Sequence, residues 1–222
     1  EAQANSNMNE KYQEKNVSSD LVFGKNLTIN SASDTNIVAS NLTSGYDHQK
    51  QQQSESGGNI DIKAGKMDVV QNGVTTEMIN EDAKVNILSN EDLSYSKNKS
   101  QATSVSLSKF NIEDGRVNIG SFELNENKNY QQKQIASTLV SYGKMDIESQ
   151  GNLAIKSSDL VTINNEISDN FDVNLKSNQG NVNITSDYDK DRNINRNLEA
   201  DIFVSADVSS SSILARAGID GS

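Results

Sequence analysis

The sequence lacks three residue types altogether. It contains no cysteine, no proline and no tryptophan among its 222 residues, and its single histidine is His48. Without cysteine there are no disulfides, thiolate nucleophiles or cysteine-ligated zinc sites, and one histidine leaves little scope for a multi-histidine metal site. We therefore expect no metal and no cofactor.

Apolar residues are also scarce. They make up 33% of the chain, compared with roughly 45–50% in an average globular domain. No apolar run approaches the roughly 18 residues that a membrane-spanning helix needs. The net charge of −11 would repel nucleic acid and anionic membrane surfaces. These features predict a strand-rich protein with a thin core that neither spans a membrane nor binds nucleic acid.

Asparagine and serine, with 30 and 31 residues, take the place of the missing types. Around them runs a recurring phrase of glycine, one polar residue and then apolar, polar and apolar positions. Its copies begin at Gly58, Gly65, Gly115, Gly143, Gly151 and Gly180. The alternation places aliphatic side chains on one face of a short strand and polar side chains on the other.

Short alternating strands fit two architectures. One is an antiparallel sandwich or barrel built from hairpins, and the other is a parallel β-helix in which each strand stacks on its equivalent one coil below. The absence of proline favours the β-helix, because interior strands use every ladder N–H group. We predict an all-β parallel β-helix, a solenoid of roughly seven to nine coils at about 4.8 Å each. The predicted inward residues are Ile60, Ile62, Val117, Ile119, Met145, Ile147, Leu153, Ile155, Val161, Ile163, Val182 and Ile184.

Polar runs that begin with tyrosine interrupt the alternation. We interpret them as excursions, either loops or hairpins that leave the solenoid and return to it. Half-exposed aromatic side chains with polar neighbours make adaptable contacts. The candidate binding residues are therefore Tyr46, Tyr95, Tyr130 and Tyr188.

Acidic pairs are the only candidates for catalysis or metal binding. Glu81–Asp82, Glu91–Asp92 and Glu113–Asp114 are adjacent residues at predicted corners, where the carboxyl groups point apart and stay wet, unlike a general acid–base pair. Asp187, Asp189 and Asp191 are spaced like the start of a calcium loop. The glycine and glutamate that such a loop also needs are replaced by Arg192 and Leu198. We predict no enzyme activity, no catalytic residue and no metal site.

The Gly-Asn-Ile-Asp-Ile and Gly-Lys-Met-Asp-Ile strands, together with the Tyr-x-x-x-Lys excursions, resemble the haemagglutinin repeats of filamentous haemagglutinin. Contact-dependent inhibition effectors and other large exoproteins of two-partner secretion carry similar repeats. The resemblance covers about residues 20–205 and is strongest at residues 27–46 and 180–192. It implies a right-handed β-helix, exported through an outer-membrane transporter and displayed outside the cell on the bacterial surface.

On this resemblance we expect residues 1–222 to be a single β-helix fragment of a larger exoprotein. Residues 1–16 and 205–222 are its least well-defined ends, because they are sparse in apolar residues. The expected function is that of an adhesin segment that mediates or supports cell adhesion, with a cell-surface protein or glycan on a host or neighbouring cell as its receptor. The alternative is a structural spacer or toxin-delivery segment of a contact-dependent inhibition effector.

Overall fold

A computed structural model describes residues 2–54, 57–106, 116–163, 172–209 and 212–221. These residues form strands, turns and bends without any helix, so the described chain is all-β. They divide into two compact units. The parallel unit comes from Lys15–Asp92 and Lys133–Asp189, and the antiparallel unit from Glu1–Glu14, Leu93–Gln132 and Lys190–Ser222. The single β-helix predicted over residues 1–222 thus corresponds to two compact units in the described residues.

The strands are numbered in chain order. They are β1 (Ala2–Glu14), β2 (Asp20–Phe23), β3 (Leu27–Ser31), β4 (Thr35–Val38), β5 (Asn41–Ser44), β6 (Tyr46–Asp47), β7 (Gln52–Gln53), β8 (Ile60–Ala64), β9 (Lys66–Gln71), β10 (Val74–Ile79), β11 (Val85–Leu88), β12 (Asn90–Val105), β13 (Arg116–Ile135), β14 (Thr138–Ser141), β15 (Met145–Ser149), β16 (Leu153–Lys156), β17 (Asp159–Thr162), β18 (Val173–Ser177), β19 (Val182–Thr185), β20 (Lys190–Ser209) and β21 (Ser212–Gly221).

The parallel unit contains three four-stranded sheets. Sheet I has the order β17-β14-β5-β2, sheet II β18-β15-β8-β3, and sheet III β19-β16-β11-β4. Every pairing within these three sheets is parallel. The chain visits the sheets in a fixed rotation, I then II then III, and completes four rounds between β2 and β19. An antiparallel sandwich therefore does not describe this unit.

Four rounds are fewer than the seven to nine coils expected from the sequence. Much of the chain is instead used by strands outside the three sheets. β6 pairs with β7 in a short antiparallel hairpin at Tyr46, an excursion of the kind predicted. β9 pairs with β10 in a second hairpin, although the motif that begins at Gly65 predicted a strand of the solenoid there. β1, β12, β13, β20 and β21 belong to the antiparallel unit.

The core of the parallel unit consists of columns of aliphatic side chains in register. In sheet II, Ile62 and Ile147 are paired and are 0% and 1% exposed. In sheet III, Ile87 and Ile155 are paired and equally inaccessible, at 0% and 3%. Such in-register stacking removes the apolar surface of each strand from water by placing it against its neighbour. The same alternation leaves polar side chains on the outer faces.

Half of the predicted inward set is confirmed as core. The six buried members are Ile60, Ile62, Met145, Ile147, Leu153 and Ile155. Val161 is wrong: it is 40% exposed, whereas its neighbour Leu160 packs against the core, so the alternation in β17 has the opposite phase. Ile163 follows β17 and is half-buried.

The other four predicted inward residues are wrong for two different reasons. Val182 and Ile184 have the expected register, but they lie on β19, the outermost strand of sheet III, and are 41% and 66% exposed. Val117 and Ile119 belong to β13, which is a strand of the antiparallel unit and not of the three parallel sheets. Local alternation predicts a strand and its faces, but it does not identify the strand's neighbours.

The glycine of the recurring phrase makes room for an asparagine of the neighbouring strand. Asn59 precedes β8, and its Oδ1 accepts a hydrogen bond from the backbone N–H of Lys144, just before β15, at 2.9 Å. A Cβ on Gly143 would collide with that Oδ1. Glycine therefore leaves the space in which the asparagine amide can bond the next strand's backbone.

The antiparallel unit is a five-stranded sheet with the order β1-β12-β13-β20-β21. β1 pairs with β12 along its whole length, and β13 pairs with β20 with a register shift between Asn118 and Gly120. The polar runs that begin at Tyr95 and Tyr130 lie within β12 and β13. These predicted excursions are therefore long paired strands.

Candidate functional site

The four tyrosines predicted from the sequence are divided between the two units. Tyr46 lies in the hairpin of the parallel unit, where its ring centroid is 6.2 Å from that of Tyr142 and 6.5 Å from that of His48. Tyr188 also belongs to the parallel unit and is 69% exposed. Tyr95 and Tyr130 lie in the antiparallel unit, on the neighbouring strands β12 and β13.

The hydroxyl groups of Ser104 and Ser121 lie 2.7 Å apart across β12 and β13, and each serine is nine residues from the tyrosine of its strand. By alternation, Tyr95 and Tyr130 therefore share the other face of the antiparallel sheet, here called the tyrosine face. Tyr12 lies directly opposite Tyr95, and Arg192 lies directly opposite Tyr130. Directly opposite residues share a face of an antiparallel pair. Tyr12 is 56% and Tyr130 37% exposed, so this aromatic row is accessible to solvent.

Polar groups on the tyrosine face are largely bonded to one another. The carboxylate of Glu126 lies 3.0 Å from Lys128 Nζ and 3.7 Å from Arg196 Nη1. The hydrogen bond from Lys128 holds the pKa of Glu126 below its ordinary value, with Arg196 acting in the same direction. The Tyr12 hydroxyl donates to Glu14 at 2.9 Å, and this bond raises the pKa of Tyr12. These charged and hydroxyl groups are thus already bonded within the sheet.

The opposite face of the sheet contains a groove of about 520 Å³ that is lined mainly by asparagine. Lys99 and Glu126 also border it, although alternation along β12 and β13 directs their side chains to the tyrosine face. We call it the asparagine groove and define it by Asn7, Asn9, Asn98, Ser100, Asn125, Asn127, Asn195 and Asn197.

The asparagine groove crosses four strands in two rows. Asn7 lies opposite Ser100, and Asn125 opposite Asn197. Asn9 lies opposite Asn98, and Asn127 opposite Asn195. Neighbouring strands are about 4.8 Å apart, so each row presents polar side chains at that interval. A second cavity of about 280 Å³ shares Asn7, Ser100 and Asn125 with the groove and extends it along the sheet.

Most of the groove's amides have no partner in the protein. Asn125 donates to Glu123 at 2.6 Å. Across the residues that the structure describes, the other six asparagine side chains of the groove make no hydrogen bond to the protein. Each amide carries two donors and an acceptor oxygen. The groove therefore presents a dense, uncharged array of hydrogen-bonding groups to solvent.

The sequence contains a pattern that predicts this groove. Asparagine alternates with other residues within four polar runs, at 5, 7 and 9, at 98 with serine at 100, at 125, 127 and 129, and at 193, 195 and 197. Period-two alternation in a strand places all such residues on one face. Tyrosine is rare in this sequence, so its positions stand out. Asparagine is abundant throughout, so its alternation in these four runs is hard to distinguish from the background.

Several of the acidic residues considered for catalysis or metal binding have separate structural partners. Asp189 accepts a hydrogen bond from the backbone N–H of Gln134 at 2.7 Å, and Asp187 lies 2.9 Å from Lys156 Nζ. Asp92 accepts from the backbone N–H of Asn16 at 2.7 Å. Glu113–Asp114 lies outside the described residues.

The described residues contain no group of three or more His, Cys, Asp or Glu side chains that could hold a metal ion. They also contain no helix of the length and apolar character needed to cross a membrane.

Comparison with known proteins adds one match. A family model described as Hemagglutinin repeat matches residues 43–179, more than half of the chain. The chain belongs to the Hemagglutinin repeat family. No curated protein and no solved structure matches it. The resemblance noted in the sequence is thereby confirmed.

Membership in the Hemagglutinin repeat family suggests a filamentous haemagglutinin-like, secreted surface protein, and the family is a structural and adhesin family without enzymes. The matched range begins in β5 and ends after β18. It includes two complete rounds of the three parallel sheets, and also β12 and β13 of the antiparallel unit. The repeat thus combines short parallel strands with long polar strands.

Proposed function

We propose that this chain is a surface-displayed segment of a large secreted bacterial adhesin, and that it contacts its receptor through the antiparallel unit. The parallel unit is the scaffold of this segment. The observation that carries the proposal is the antiparallel sheet, because it exposes an ordered polar surface on each face. If the long strands served only as a structural spacer, they would need no such array of exposed amides and aromatic rings.

The scaffold in this proposal is a right-handed parallel β-helix. The rotation of the chain through sheets I, II and III supports it, because each round returns the chain to the sheet where it began, one strand further along. β2 and β5, for example, are parallel neighbours joined through β3 and β4. Connections between parallel strands of one sheet are right-handed in about 98% of cases.

The proposed route to the surface follows from the family. Export by two-partner secretion through an outer-membrane transporter places the segment outside the cell. Antibodies raised against this chain should label intact source bacteria without permeabilisation. Labelling that needs permeabilised cells would contradict the proposed location.

Cell binding tests the adhesive function directly. The fluorescently labelled chain should bind intact host or neighbouring cells saturably. Tyr95→Ser combined with Tyr130→Ser should weaken this binding, whereas Tyr46→Ser combined with Tyr188→Ser should not, since those two residues belong to the parallel unit. Equal, non-saturable background from all three proteins would instead favour the spacer or toxin-delivery role.

A further inference from the structure

We propose that the asparagine groove binds an uncharged oligosaccharide. The proposal rests on the proposed function, since it names the receptor chemistry of the same antiparallel unit. It concerns the face of the sheet opposite Tyr95 and Tyr130.

The first argument compares asparagines in the two units. On the outer face of sheet III, Asn86 Nδ2 donates to Asn36 Oδ1 of the paired strand at 2.7 Å. Asn9 and Asn98 of the groove are also directly opposite each other on paired strands, yet their amides do not bond each other. Asparagine pairs therefore support the sheet in the parallel unit, whereas in the groove their bonding capacity is left for another molecule.

The second argument concerns charge. The groove's defining residues are all uncharged, and the cavity touches one lysine and one glutamate, Lys99 and Glu126. Glu126 already faces Lys128 and Arg196. A sulfated or phosphorylated ligand would need a cluster of arginine or lysine side chains, and the net charge of −11 would oppose its approach. The preferred ligand is therefore neutral.

The third argument concerns hydrogen-bond matching. Sugar hydroxyl groups both donate and accept, as do side-chain amides and the Ser100 hydroxyl. The two rows and the adjoining 280 Å³ cavity make the site elongated, which suits a chain of sugar units better than a single compact molecule. The groove's 520 Å³ lies within the range of small-molecule sites, about 300–1,000 Å³.

The affinity of one groove should be low. Among the described residues, its lining includes no aromatic side chain on which a sugar ring could stack. Exposed hydrogen bonds also exchange with water at little net gain. We expect dissociation constants on the order of 1 mM for a single site. Repeated segments on one cell surface would raise the effective affinity through multivalency.

The test uses the whole chain and a defined set of probes. Mannohexaose, cellohexaose, xylohexaose and chitohexaose are titrated into ¹⁵N-labelled protein, and a heparin hexasaccharide is the anionic comparison. At least one neutral probe should shift the side-chain amide resonances of Asn98 and Asn127. The heparin hexasaccharide should leave them unchanged.

Two double variants separate loss of binding from loss of structure. Asn98→Thr with Asn127→Thr should lower the affinity at least tenfold. Its urea midpoint should stay the same or rise, because threonine is favoured in strands and asparagine is not. Met8→Thr with Glu10→Thr changes the exposed residues on either side of Asn9 in β1, which face the other side of the sheet, and should leave the affinity unchanged.

Several results would overturn the proposal. The first is no amide shift with any neutral hexasaccharide at 10-fold the expected dissociation constant, and the second is preferential binding of the heparin hexasaccharide. The third is an equal loss of sugar affinity in both double variants. The fourth is amide shifts that depend on protein concentration, because two copies then pair through the groove. Saturable cell binding with no response to the neutral probes would refute this inference alone. A groove that binds sugar in a chain that does not bind cells would refute the adhesive function alone.

Discussion

Replacing Ile155 by aspartate should unfold the parallel unit, whereas the same replacement at Ala154 should leave it folded. Ile155 is 3% exposed and is paired with Ile87 on one side and Ile184 on the other. Ala154 is the next residue in β16, but it faces outward between Asn86 and Asn183. The two sites differ by one position in the chain and by the face of sheet III.

The structure allows the size of the effect at Ile155 to be worked out. Removing a buried isoleucine side chain costs about 2–5 kcal/mol, depending on the cavity that remains. The lower half of that range applies, because Ile184 on one side is itself 66% exposed and the site can relax there. A buried carboxylate without a partner adds several kcal/mol. The total of about 5 kcal/mol or more is comparable with the entire stability of a typical domain.

The assay must report on the parallel unit alone, because the chain has two compact units. Amide hydrogen exchange at Ile62 and Ile147, in the core of sheet II, meets this need. Ile155→Asp should abolish protection there at pH 7, and Ala154→Asp should change the opening free energy by no more than about 0.5 kcal/mol. Equal protection in the two variants would refute the assignment of Ile155 to the core.

Two further predictions test the contacts between neighbouring strands. Gly143→Ala should destabilise the protein by about 2 kcal/mol, since the new methyl group displaces the Asn59 amide and its hydrogen bond. In an Asn59→Ala background, Gly143→Ala should lower the urea midpoint by less. A decrease of the same size in both backgrounds would contradict this account. The Asn178 amide donates to Glu148 at 2.7 Å and, with Lys176 at 3.4 Å, holds the pKa of Glu148 below its ordinary value of 4.5. The stabilisation is present above that value and is lost as the pH falls through the lower pKa of the folded state. Glu148→Gln should therefore be less stable than the parent in urea at pH 7 and equal to it at pH 2, and the same difference at both values would rule out this role.

Much of the fold could be predicted from short sequence patterns, because the parallel strands are defined by local alternation. Ile60 and Ile62 follow Gly58-Asn59 and are fully buried as expected. The phase error at Val161 arises where alternation is ambiguous, since Leu160 and Val161 are adjacent aliphatic residues and either can face inward. Leu160 is the one that packs against the core.

The antiparallel unit could not be predicted in the same way, because its pairings join residues far apart in the chain. Tyr12 and Tyr95 are opposite each other although 83 positions separate them. Nothing in the polar run around Tyr95 distinguishes a loop from a strand whose partner lies elsewhere. The sequence indicates which residues share a face of a strand, but the register between distant strands decides which residues form a site.

Asparagine illustrates how one residue type takes different roles in the two units. Asn59 bonds the backbone of the next strand and needs a glycine beside it. Asn86 bonds the asparagine paired with it. Asn98, on a sheet with similar strand spacing, does neither. Because asparagine is unfavourable in strands, alternating asparagines over four paired strands reduce the intrinsic stability of the antiparallel sheet. Their presence there, with only Asn125 of the groove bonded to the protein among the described residues, is the strongest argument that the groove serves recognition.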